Sequence, residues 1–204
     1  TIGVGETANA RRDAARPTGA YGEAKLAATE SILDAVVEGH IDAVVLRIAN
    51  VSGPGAPNIS LLGQVARQLA DAKVSGVPAT ITLDALTAQR DYVDARDVAD
   101  AVVAAARVRL PGTVLDIGRG EAVGVREMVR MLLDISGVDA ELAEREPATS
   151  GGSPRWTQVD IGPARDHLGW VPTRSIYRSI EDFWLDTIAN IERPHTHAVH
   201  PTRA

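Results

Sequence analysis

The chain has 204 residues, 45% apolar and 24% charged, with a formal charge of −6 and no cysteine. That composition describes a folded globular protein with enough chain for a real core, and it excludes disulfides, Cys-ligated zinc and thiol chemistry. The negative balance argues against nucleic acid as a partner, and no apolar run approaches the ~18 residues of a membrane span, so a cytoplasmic location is the expectation.

In chain order, residues 1–18 are polar and irregular, with "ANARRDAARP" reading as a surface loop. A helix is predicted over 20–38, where Leu26, Ala27, Ile32, Leu33, Val36 and Val37 recur at helical spacing and Gly39 supplies the C-cap. The β-branched run at 43–48 predicts a buried strand that ends in the Gly/Pro loop "ANVSGPG". A second amphipathic helix is predicted over 59–73, and "ATITL" at 79–83 reads as a short strand. The segment "RDYVDARDVADAVVAAARV" passes from a strand into a third helix, with Asp97 near its N-cap. Residues 113–117 form another predicted strand, and a fourth helix spans 125–135. A loop at 147–156, a short helix ending at Gly169 and a last helix over 175–191 complete the pattern. Strands alternating with helices predict an α/β layered fold with a parallel sheet. Only 43–48 and 113–117 read as central strands, too few for a covered parallel sheet, so the chain reads as the back half of a larger fold.

Tyr21 and Lys25 lie four apart at the start of the first helix and therefore share a face. A phenol titrates near 10, and bringing it down by about 3 pH units requires roughly 4 kcal/mol of preferential stabilisation of its anion. A neighbouring ammonium supplies part of that. The pair thus has the chemistry to move the proton that accompanies hydride transfer, although Tyr-x-x-x-Lys by itself is a common helical pairing.

Four further motifs follow the pair in order. "PTGAYGEAKLAATE" is succeeded by "LRIANVSGPG", "RDYVDARDVADAV", "LDIGRGEAVGVREMV" and "VDIGPARDHLGWVP". In this order the chain resembles the extended short-chain dehydrogenases/reductases, the NAD-dependent epimerase/dehydratase family, from Pro17 to about Ile188. The resemblance implies a Rossmann-like α/β fold, here the second half of the parallel sheet plus a small α/β substrate-binding region. It implies three segments: 1–58 as the end of the Rossmann-like domain, 59–190 as a mixed substrate-binding region with a returning strand near 113–118, and 191–204 as a flexible tail. Tyr21 matches the family's catalytic acid/base, and Lys25 matches the lysine that bonds the nicotinamide ribose and depresses the phenol pKa. Asn50 matches an asparagine in the loop that touches both cofactor and substrate. Arg90 matches an arginine that meets the substrate diphosphate in relatives acting on nucleotide-linked sugars, a task suited to a bidentate, permanently charged fork. Thr1, in "TIGVGE", is the counterpart of the family's substrate-holding Ser/Thr. Asp97 matches an acid that organises the loop and helix start.

The implied function is NAD- or NADP-dependent oxidoreduction or isomerisation (epimerase or ketoreductase) of a nucleotide-sugar or similar small molecule. A homodimer is implied too, paired through the first helix, whose outer face carries Leu26, Ile32 and Leu33. Two departures qualify this. The family's Gly-rich cofactor turn is not found: "GVGETA" at 3–8 fits by letters, but no strand precedes it and an Arg-rich loop follows. Roughly the first 110 residues of a complete enzyme are therefore expected elsewhere, because the dinucleotide fingerprint lies in the first βα turn of such folds. Those residues belong to a longer protein or to a separate chain; alternatively, this is a half-fold that lost NAD(P) binding and serves a cofactor-free catalytic or binding role. Second, only Arg155 stands where sugar-nucleotide relatives place an arginine and an acid, as a candidate phosphate contact. His195, His197 and His200 are spaced as metal ligands can be but lack a carboxylate framework, and no metal is expected.

Overall fold

The computed structural model describes residues 19–146 and 157–192. Thr1, Arg155, His195, His197 and His200 lie outside the described residues. The chain alternates helices and strands as α1 (Ala20–Val37), β1 (Val45–Ile48), β2 (Asn50–Ser52), α2 (Leu61–Ser75), β3 (Ala79–Leu83), β4 (Gln89–Asp94) and α3 (Ala95–Ala106). It continues as β5 (Val114–Ile117), β6 (Ala122–Gly124), α4 (Val125–Ser136), β7 (Ala140–Glu144), α5 (Gly162–Leu168) and α6 (Ile176–Glu192).

Among the described residues three small sheets are formed: β1 with β5, β2 with β4 and β6, and β3 with β7. All pairings are parallel except β4 with β6. Residues 45–52 change partner in mid-course. Val45–Ile48 pair with β5, the Ala49 amide still donates to Ile117 at 2.8 Å, and Asn50–Ser52 then pair with β4. The expected loop "ANVSGPG" therefore begins as a strand. Three residues are too few for a period in sequence, and β4 supplies the partner that makes them extended.

Two hydrophobic cores result. The larger joins α2, α4 and α6 to β3 and β7 through Val65, Leu69, Ile81, Met128, Leu132 and Ile180. The smaller gathers Val93, Ala101, Ile117, Ala164 and Trp170. Strand β4 serves both: Tyr92 packs against the larger core and Val93 lies within the smaller, as alternation of side chains across a strand requires.

Helix ends follow local chemistry. The Ser60 hydroxyl accepts from the Gly63 amide at 3.0 Å and caps α2, which stops at Gly76 with φ +69°. Gly63 itself is required, because a Cβ there would sit 2.3 Å from the Pro57 carbonyl oxygen. Asp94, not Asp97, caps α3, accepting from the Arg96 amide at 2.8 Å. Asp97 is buried one turn in and reaches a different segment: it accepts from the Thr173 amide and hydroxyl and from the Arg174 amide and guanidinium at 2.6–3.2 Å. It organises the fold as expected, by clamping 173–174 onto the start of α3.

The buried strand expected at 43–48 needs correction, and α1 is exposed as well. Along α1 Gly22 alone is buried, and Ile32 and Val37 are exposed. Its C-terminal end meets the body at Val36, 3.6 Å from where a Cβ on Gly112 would lie. Likewise β1 is half-buried throughout, whereas β5 is buried in three of its four residues. Strand β1 has one described neighbour, β5, which leaves its other edge without a partner among the described residues.

Strand β7 is held to α4 by an ion pair. Arg126 donates to both carboxylate oxygens of Glu144, at 2.5 and 2.7 Å, and the Leu86 amide adds a third bond at 3.1 Å. The guanidinium holds the Glu144 carboxyl well below the usual range, at about 2. This lies below the unfolded value of about 4.3, so the pair contributes stability that is complete above that pH and is lost as pH falls toward 2. Arg126→Met is accordingly expected to lower Tm at pH 7, and calorimetry between pH 5 and 2 should find its deficit against wild type shrinking. A deficit that stays constant with pH would assign the effect to packing of the arginine stem instead.

Candidate active site

Tyr21 and Lys25 stand one turn apart on α1, both exposed, with the Lys25 ammonium over the Tyr21 ring 5.6 Å from its centroid. The helical spacing thus brings phenol and cation together, through the ring face rather than the hydroxyl. Tyr21 is 63% exposed, so its hydroxyl is open to a ligand.

The second group lies on β2 and β4. The parallel register sets Asn50 beside Tyr92 and Ser52 beside Asp94. Arg90, two residues before Tyr92, falls on the same face. The Asn50 amide donates to the Asp91 carbonyl at 3.2 Å, which fixes its orientation and leaves its carbonyl oxygen available. Burial lowers the pKa of Arg90 and raises that of Tyr92, the proximity of the two partly opposing each shift. A cation and a neutral phenol side by side form a donor pair for an anionic oxygen.

Asn50, Ser52 and Tyr92 line a cavity of about 200 Å³, closed by Gly53, Ala56, Ser60, Leu61, Leu62, Ile180 and Phe183. Its wall is apolar apart from the Asn50 amide and three hydroxyls, a surface fit for a partly apolar ligand with a few fixed polar contacts. Tyr21 and Lys25 do not line it. Among the described residues Tyr21 and Lys25 form one cluster, while Arg90 joins Asn50 only through the β2–β4 register and Tyr92 and does not line the cavity either.

Asp91 points to the opposite face, where its carboxylate accepts from the amides of Arg119, Gly120 and Val159 at 2.7–3.3 Å. Burial pushes its carboxyl up, against those amides. The approach requires Gly118, since a Cβ there would meet Val159 at 2.3 Å. Asp91 thus stitches β4 to 118–120 and to 159, which holds Arg90 and Tyr92 at a fixed pitch.

Nothing in the sequence pattern singles out Tyr92 or Ser52. Both sit inside quoted motifs, "RDYVD" and "NVSGPG", but their place in the cavity follows from the β2–β4 register, which no local spacing encodes. Among the described residues no group of three or more His, Asp or Glu is placed to hold a metal, and no helix is long and apolar enough to cross a membrane.

The architecture and the helix bearing the Tyr-Lys pair define a Rossmann-like α/β protein of the extended short-chain dehydrogenase/reductase class. The model of the NAD dependent epimerase/dehydratase family matches residues 3–118, and the chain belongs to that family. It is 43% identical over 180 residues to dTDP-6-deoxy-L-talose 4-dehydrogenase (NAD(P)(+)) of Kitasatospora kifunensis, covering 87% of this chain and 56% of that one. It is 30% identical to UDP-glucose 4-epimerase of Streptomyces lividans, covering 83% and 54%. Among solved structures, UDP-glucose 4-epimerase of Thermotoga maritima with UDP-glucose aligns at TM-score 0.76 and 26% identity, over 94% of this chain and 60% of that one. RMD from Pseudomonas aeruginosa complexed with NADPH shares the fold at TM-score 0.82 and 24% identity, covering 92% and 63%. The chain spans about half the length of the curated relatives it matches.

Proposed function

We propose that the protein carrying this chain is an NAD(P)-dependent oxidoreductase or isomerase acting on a nucleotide-linked sugar. The observation that carries this reading is the shared strand face of Asn50, Arg90 and Tyr92, of which Asn50 and Tyr92 line the 200 Å³ cavity, on the same chain as the Tyr21–Lys25 pair. A permanent cation flanked by an amide and a phenol suits a diphosphate. Relatives whose names specify dTDP- and UDP-linked sugars point to the same ligand class.

NAD(P), when bound, supplies the hydride acceptor or donor. The exposed Lys25 ammonium, four residues from Tyr21, fits a ribose hydroxyl, so this chain would hold the nicotinamide end. Its own residues then have separate tasks. Tyr21 moves the proton at the sugar oxygen, Lys25 favours the phenolate by its charge, and Asn50 with Arg90 orients the substrate. Association of two copies through the exposed face of α1 belongs to the same proposal.

The deciding experiment incubates the protein with dTDP-, UDP- and GDP-linked hexoses and either NAD+ or NADP+, following absorbance at 340 nm and product stereochemistry by NMR. Net reduced cofactor identifies a dehydrogenase, and a changed C4 configuration without net reduction identifies an epimerase. If neither occurs, and no nucleotide sugar binds by calorimetry, the proposal fails.

A further inference from the structure

We infer that α6 is a positioning element for the site: one stripe of it, Ser179, Phe183 and Asp186, sets the conformation of loop 53–58 and through it ligand affinity. This rests on the reading of the cavity given under Proposed function.

The three residues recur at i, i+4 and i+7, hence on one helix face. At one end, the Ser179 hydroxyl bonds the Ser52 hydroxyl at 2.9 Å, with both residues buried. The Asp94 carboxylate lies beside Ser179 at Gly53, and Arg96 holds it at 2.7–2.8 Å. Arg96 in turn reaches Asp182, back on α6, at 2.7 Å. Burial alone would raise the Asp94 carboxyl, but these bonds prevail and hold it below its ordinary value. At the other end, the Gly55 amide donates to Asp186 at 3.0 Å. Between them Phe183 packs under Ala56, and these two residues line both the 200 Å³ cavity and a second one of about 520 Å³ bordered by Asp186. The loop is therefore the partition between two cavities, pinned to α6 on both sides of Pro54.

Gly53 makes the pinning possible. Its φ is +109°, and a Cβ would stand 3.0 Å from an Asp94 carboxylate oxygen and 3.3 Å from the Ser179 hydroxyl. Two glycines and two prolines in six residues give a loop with no ladder of its own. Within it the Ala56 amide reaches the Gly53 carbonyl only at a long 3.3 Å, so most of its order comes from α6, and whatever order it lacks weakens ligand binding through entropy. Asp186 touches the loop and does not line the smaller cavity, so it acts on the ligand through Gly55 and Ala56 alone.

The test compares wild type with Asp186→Ala and Asp186→Asn, the latter retaining an acceptor for the Gly55 amide. Exchange of that amide is read by NMR without ligand, and affinity for UDP- and dTDP-linked sugars by calorimetry, with kcat and KM alongside. In Asp186→Ala the Gly55 amide should exchange at least about fivefold faster and affinity should weaken about fivefold, with kcat within about twofold; Asp186→Asn should restore both. Unchanged exchange in Asp186→Ala overturns the inference, as does faster exchange with unchanged affinity. A wild type that binds no nucleotide sugar overturns the reading of the cavity, and the positioning role with it. That result has its own signature, because exchange without ligand still separates the variants.

Discussion

Tyr21→Phe is expected to lower turnover of a nucleotide-linked sugar by about 10³-fold, within the range typical of positioned acid-base groups. Affinity for the sugar nucleotide and for NAD(P) should change by less than about twofold, because Tyr21 lies outside the cavity lined by Asn50 and Tyr92. The phenyl ring that remains can still carry the Lys25 ammonium, since the contact is to the ring face at 5.6 Å. Phe therefore removes the proton and little else. The companion change, Lys25→Met, removes the ammonium proposed to meet the ribose, so the KM for NAD(P) should rise about tenfold. A Tyr21→Phe enzyme that keeps more than a tenth of its kcat would take Tyr21 out of the chemistry.

The second large effect is on stability. Asp97→Ala should cost about 2 kcal/mol, because it removes the charged acceptor that part-buried donors of 173–174 share. Four donors from 173–174 converge on that carboxylate, and the Trp170 indole N–H bonds the Asp97 carbonyl at 2.9 Å. Arg174 retains Asp100 at 3.1 Å, which limits the loss. Asp97→Asn keeps one acceptor and should lose roughly half as much. Urea denaturation reads both, and a loss under about 1 kcal/mol for Asp97→Ala would show that 173–174 is held by Trp170 packing instead.

The helices were the most readable part of the chain, because their apolar spacing and their caps are local. Gly39 and Gly169, the expected ends, follow α1 and α5 with φ +75° and +64°. Strands β2, β6 and β7 were not readable. The first and second are three residues long, and "AELAE" at 140–144 is made of good helix formers. Pairing with β3 overrides that preference, a tertiary effect absent from any local window. In the site, Tyr21 and Lys25 came from one helical spacing and a motif order. Tyr92, Ser52 and the α6 stripe depend instead on which strand lies beside which, and on contacts across more than a hundred residues of chain. The exposure of α1 has the same origin: its sequence carries apolar residues whose cover does not lie among the described residues.

Strand β4 gives alternate side chains to two cores and, through Asp91, a carboxylate to the segments at 118–120 and 159. For recombination between family members this defines a seam that cannot be cut. A graft that replaces residues up to Tyr92 from one parent and from Val93 onward from another would place one parent's interior against the other's within a single step of backbone. Exchangeable modules must therefore carry 89–94 intact, together with the partners on both sides of it.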